Sequence, residues 1–182
     1  MPKLLVLFDA RSDDVARLAD AIAEGARGVR FAEVDVRRTA PRWAEHDTAG
    51  DDARARLGSR YRVLESADAL AAYDAIVVGV ATNDEAGPGA VPDAVRELIE
   101  TTTVNLANKV ASAFTPEASH ASESERRAAL ASVLTPMGER GMIIVPPRFA
   151  DRGDDELHTA RKQGKRVYDV TGWITHARSH HH

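Results

Sequence analysis

Five apolar residues in a row, Leu4-Leu5-Val6-Leu7-Phe8, follow Lys3 near the start of the chain. A run of that length without alternation reads as a strand buried on both faces, as in a parallel sheet covered by helices on each side. A helical pattern begins soon after, with Val15, Leu18, Ala19, Ile22, Ala23 and Ala26 recurring at three- and four-residue steps. Asp9-Ala10-Arg11-Ser12-Asp13-Asp14 between them is therefore a strand-to-helix turn at the carboxyl end of the first strand. In doubly wound α/β domains phosphates bind at such turns, on backbone N–H groups at the helix N-terminus. Here the turn carries acids where an anion site should be neutral or basic.

The pattern repeats along the chain. The first helix is expected to stop near Gly25 to Gly28. Phe31 to Val36 then alternates apolar and acidic residues, as an edge strand with one wet face does. From Arg37 to about Ser66 the periodicity dissolves into arginines interleaved with Asp47, Asp51 and Asp52. Mixed signs read as a solvated charged loop; a basic surface for an anionic cofactor or partner is the alternative.

Ala67 to Ala72 suits a short helix, and Asp74 to Val80 is a second strongly apolar strand. A loop from Ala81 to Gly89 leads to a helix with Pro92 in its first turn, burying Val91, Val95, Leu98 and Ile99. Lys109 to Phe114 is the next strand. Ser122 and Glu125 form a capping box for the following helix. Met142 to Val145 is the last strand, and Asp154 caps a final helix. Five strands alternating with helices predict a parallel sheet in the order 2-1-3-4-5, with helices on both faces and Ala32, Val34 and Val36 on the edge strand.

Composition narrows the function classes. The formal net charge of -4 argues against a general nucleic-acid or anionic-membrane binder. With no cysteine there is no thiol nucleophile, thiolate metal site or disulfide framework, which suits a cytoplasmic protein. No transmembrane run or signal peptide is visible. Arg178-Ser179-His180-His181-His182 reads as a vector-derived histidine tag, leaving one domain over residues 1–177. The remaining histidines, His46, His120, His158 and His176, lack helical metal-ligand spacing, so no metal site is assigned. Ser119, His120 and Glu117 share one loop, which seldom makes a catalytic triad. Trp43, Tyr61 and Trp173 read as packing or interface residues, and Lys162, Lys165 and Arg166 as the solvated face of the last helix.

Several blocks carry a resemblance. Lys3 to Phe8 with Leu18 to Ala26, Tyr73 to Gly79, Gly141 to Pro146, and Glu156-Leu157, Ala160-Arg161, Gln163-Gly164 and Val167 are similar to blocks of the flavodoxin-like NAD(P)H:quinone oxidoreductases of the WrbA type. The resemblance covers nearly the whole chain and implies a flavodoxin-like fold. It also implies a flavin mononucleotide (FMN) site built from three loops, with NAD(P)H entering the chemistry only if FMN binds. Carried onto this sequence, the site positions are Ala10, Arg11, Ser12, Asp13, Asp14 and Val15 in the first loop and Thr82, Asn83 and Asp84 in the second. Thr115, Pro116 and Glu117 form the third, and Arg140 matches a family histidine near the flavin.

Each loop departs from the family pattern. Ala10 and Asp13 replace the serine and glycine that cradle the phosphate; of the threonine-rich second stretch only Thr82 matches; the third loop has no glycine. The family's glycine-rich segment before the last helix shrinks to about Ala150 to Asp155. Asp13 and Asp14 disfavour FMN through like-charge repulsion, although acids in a first turn also favour the helix dipole behind a Ser12 cap. The expectation is a homodimer of flavodoxin-like domains without tight FMN binding, acting as a binding or interaction module or on another small-molecule ligand. The alternative is an active FMN-dependent NAD(P)H:quinone oxidoreductase.

Overall fold

The computed structural model describes residues 1–8, 13–39, 51–80, 93–117, 121–149 and 155–179. The strands are β1 (Lys3–Phe8), β2 (Glu33–Arg38), β3 (Arg62–Val63), β4 (Ala75–Gly79), β5 (Val110–Phe114) and β6 (Ile143–Ile144). The helices are α1 (Asp13–Arg27), α2 (Asp51–Arg60), α3 (Asp93–Thr101), α4 (Glu123–Glu139) and α5 (Glu156–Ser179), with a 3₁₀ helix at Ala67–Ala72. The sheet order is β3-β2-β1-β4-β5-β6, and every adjacent pair is parallel. Without the two-residue β3 this is the expected 2-1-3-4-5 order. The sixth strand is the addition: Arg37 and Arg38 pair with Arg62 and Val63, so β2 is not outermost at its carboxyl end.

β1 is central because both its faces are covered. Leu4, Val6 and Phe8 pack under α1 and α5, while Leu5 and Leu7 pack under α3 and α4; all five are 0% exposed. Ala32 precedes β2, whereas Val34 and Val36 lie within it and pack on the α1–α5 side. Its opposite face is less wet than the alternation suggests. Asp35 accepts from the Tyr73 hydroxyl at 2.8 Å and lies 3.3 Å from Lys3 Nζ and 3.6 Å from Arg37 Nη2. Burial raises the Asp35 pKa, but these donors and cations outweigh it and hold the carboxyl below its ordinary value.

The charged stretch after β2 folds back where it is described. Leu57 and Tyr61 join the core, and the Tyr61 ring meets Phe8 edge-on with centroids 5.0 Å apart. Tyr61 donates to Asp20 at 2.8 Å, and Arg60 reaches the same carboxylate at 2.6 Å. Tyr61 is thus a packing residue, as expected. Trp173 is 70% exposed and does not pack into this core, and Trp43 lies outside the described residues.

The two glycines at the α1–α5 crossing have a packing role. A Cβ at Gly25 would stand 1.9 Å from the Arg161 carbonyl oxygen, and one at Gly164 would stand 1.9 Å from that of Ile22. The backbones therefore approach as only glycine allows. α1 ends at Arg27, within the expected Gly25 to Gly28 stretch.

The capping box opens α4 as expected, with Glu125 Oε2 accepting from the Ser122 N–H at 2.6 Å. At α5 the cap is Asp155, whose carboxylate accepts from the Leu157 N–H at 3.0 Å; Asp154 lies outside the described residues. The helix continues through Arg178 and Ser179, and Arg178 donates to the Asn108 carbonyl at 2.5 Å. No described helix is long and apolar enough to cross a membrane.

Glycine substitutions along α5 should separate close packing from helix propensity. Gly164→Ala drives a methyl into the Ile22 backbone and should cost about 3 kcal/mol. Gly172→Ala meets nothing within 4 Å and should stabilise by about 0.5–1 kcal/mol. Urea unfolding midpoints of the two variants should move in opposite directions; equal shifts would contradict the crossing.

Candidate functional site

The carboxyl ends of β1, β4 and β5 share one rim of the sheet, and the first turn of α1 and the start of α5 border it. Of the first-loop positions, Asp13, Asp14 and Val15 are described; Ala10, Arg11 and Ser12 are not. Val15 is 0% exposed and belongs to the core. Asp13 is half-exposed and lies 3.2 Å from Arg56 Nη2 of α2, while Asp14 lies 3.4 Å from Arg17 Nη1. The acidic first turn is thus paired with arginines. Both pairs face solvent, where each is worth about 0–1 kcal/mol.

Thr82, Asn83 and Asp84 of the second loop lie outside the described residues, as do Ser119 and His120. The third loop is described through Glu117. Its N–H donates to Glu156 Oε1 at 2.5 Å, and its own carboxylate lies 4.0 Å from Arg126 Nη1. Pro116 is buried, and the buried Thr115 hydroxyl has no hydrogen-bond partner among the described residues. A cavity of about 30 Å³ lies here, bordered by Phe114, Thr115, Arg148, Glu156 and Gln163. That volume suits a water rather than an aromatic ring.

The floor of this loop is a buried polar network that the sequence reading did not identify. Gln163, 2% exposed, donates through Nε2 to Ser112 Oγ at 3.0 Å and to the Ala113 carbonyl at 2.8 Å. Its Oε1 accepts from the Arg148 N–H at 3.3 Å. Ser112 in turn donates to the Val145 carbonyl at 2.9 Å. One side chain thereby links β5, the segment after β6 and α5, and satisfies backbone groups away from water. The available signal was polar residues on otherwise apolar faces: Ser112 in a strand and Gln163 on the inner side of a helix.

Arg140 is not part of this rim. It caps the far end of α4, where its guanidinium donates to the Thr102 carbonyl at 2.7 Å and the Val104 carbonyl at 3.3 Å. Those groups lie at the amino edge of the sheet, because α3 and α4 both run back from the carboxyl edge. Within one chain, the position matching a flavin-side histidine therefore stands apart from the other site positions.

The described part of the rim is acidic. An α1 N-terminus offers donors and a favourable dipole, but the first turn carries two carboxylates. A third carboxylate, from Glu156, already accepts from the Glu117 N–H. A phosphate monoester brings close to two further negative charges.

No protein-family model matches the chain. It is 33% identical to the NAD(P)H dehydrogenase (quinone) of Chromohalobacter salexigens, with 80% of this chain and 71% of that one aligned. It is 30% identical to the protein of the same name from Brucella anthropi, covering 94% of this chain and 98% of that one. The oxidised flavodoxin 1 of Bacillus cereus superposes with a TM-score of 0.59 at 19% identity, covering 92% of this chain and 97% of that one. That likeness shows the fold.

Gln163→Leu tests the network beneath the loop. It leaves the Ala113 carbonyl and the Arg148 N–H without their partner, which should cost about 3 kcal/mol. Combined with Ser112→Ala, the loss should be less than the sum of the single losses, as expected for residues sharing one network. Strict additivity in denaturant unfolding would count against the linkage.

Proposed function

The chain belongs to the flavodoxin-like NAD(P)H dehydrogenase (quinone) family, and on that premise we propose that it keeps the family scaffold but holds FMN only weakly. On this reading it serves as a binding module, or acts on a ligand less anionic than a flavin phosphate. The observation that carries it is the gathering of the protein's own carboxylates at this rim. Asp13 and Asp14 occupy the first turn of α1, and Glu156 accepts from the Glu117 N–H.

The magnitudes favour weakening over abolition. A like charge at 4 Å costs about 1 kcal/mol in water and about 4 kcal/mol at a partly shielded protein surface. Arg56 and Arg17 return part of this, limited by their exposure. A net penalty of about 3 kcal/mol corresponds to roughly a hundredfold in Kd.

A second reading is an FMN-dependent NAD(P)H:quinone oxidoreductase. The names of the relatives favour it, as does the arginine beside each first-turn acid.

Charge changes around Asp13 discriminate between them. Quenching of FMN fluorescence in low salt should give a micromolar or weaker Kd for the parent. Asp13→Gly with Ala10→Ser should tighten it about tenfold, while Arg56→Ala should weaken it. A nanomolar parent Kd, with little response to either change, would replace this proposal with the reductase reading.

A further inference from the structure

Away from the carboxyl rim, one face of α5 borders a groove of about 500 Å³, within the range of small-molecule sites. Lys162, Lys165, Arg166, Val170 and Trp173 line it at steps that place them along one helix face, and Arg148 faces them from the segment after β6. Two features set this surface apart from an ordinary solvated helix. Trp173 is 70% exposed, whereas an indole is usually largely buried. The cations are also mostly uncommitted. Lys165 is held by Asp169 at 2.6 Å, but the side chains of Arg148, Lys162 and Arg166 make no ion pair with any described residue.

An exposed aromatic face beside these cations complements a planar ring that carries anionic groups. The base stacks on the indole, and the guanidinium and ammonium groups form charge-assisted hydrogen bonds to phosphate. From Lys162 to Trp173 the helix rises about 16 Å, enough to lay an extended nucleotide along its axis. A second copy of the chain related by a two-fold axis through this groove fits less well, because the same cations would face one another.

We propose that this groove binds a purine nucleotide carrying a diphosphate, with the base on Trp173 and the phosphates among Arg148, Lys162 and Arg166. The site shares Arg148 with the rim cavity, but its other groups lie along α5 and it does not require flavin. Its cations are solvent-exposed, so binding is strongly salt-dependent.

The test uses the full chain with Trp43→Phe, which leaves Trp173 as the fluorescent reporter. Titration with ADP in low salt should quench it saturably, and adenosine alone or inorganic pyrophosphate alone should each bind at least about tenfold more weakly. Lys162→Glu with Arg166→Glu should raise the ADP Kd by about tenfold or more. Both side chains are exposed, so the thermal midpoint should hold; Lys162→Gln with Arg166→Gln should give a smaller change in the same direction. Asp13→Gly should leave ADP binding unchanged, which separates this site from the flavin reading. Three results would overturn the proposal: no saturable response at millimolar ADP, an ADP Kd insensitive to charge reversal, or tighter binding of an oligothymidylate than of ADP, which would make the face a single-strand surface.

Discussion

Two helix backbones in contact set the geometry of the rest. At Gly25 and Gly164 there is no room between α1 and α5 for a single methyl group. Close approach of this kind fixes the angle and register of the pair, because a slide in either direction brings side chains onto carbonyls. Around the crossing, Arg161 reaches Glu24 at 2.8 Å, and Tyr168 donates to the Pro2 carbonyl at 3.0 Å. The first ties helix to helix, and the second ties α5 to the start of β1. Since α1 brings Asp13 to the rim and α5 brings Glu156, the crossing also determines how the site's acids are arranged.

Rigid support and altered chemistry meet at the third loop. Below it, Gln163 and Ser112 close a fully buried set of hydrogen bonds, the arrangement expected where a polar group must justify its removal from water. Above it, the Glu117 N–H points to a carboxylate from the same chain rather than outward to solvent. The fold of the family is thus retained, and the described part of the rim carries Asp13, Asp14 and Glu156. A fold can persist through changes at its rim because its core and its loops answer to different constraints.

The parts of the structure that were legible in the sequence are those governed by local pattern. The apolar run of β1, the helical spacing from Val15 to Ala26, and the Ser122–Glu125 box each depend on residues near one another in the chain, and each stands in the structure as read. What was not legible depends on distant partners. Gly25 reads only as part of a helix end until the Arg161 carbonyl is seen against it. Asp35 resembles a solvent-facing acid until Tyr73 and Lys3 are placed beside it. Arg140 gives no sign in sequence that its guanidinium reaches the Thr102 carbonyl beyond α3. At the rim itself, Asp13 and Asp14 were read correctly as first-turn acids, but their arginine partners come from Arg56 on another helix and from Arg17 one turn on.

The central claim is that a family scaffold survives here with its flavin site electrostatically weakened. The most direct measurement is flavin retention: the protein is incubated with excess FMN, passed through gel filtration in low salt, and its visible absorption is compared with its protein content. A weakened site predicts a nearly colourless protein peak, with FMN eluting separately. A yellow peak holding close to one FMN per chain, reducible by NAD(P)H and reoxidised by a quinone, would contradict the claim.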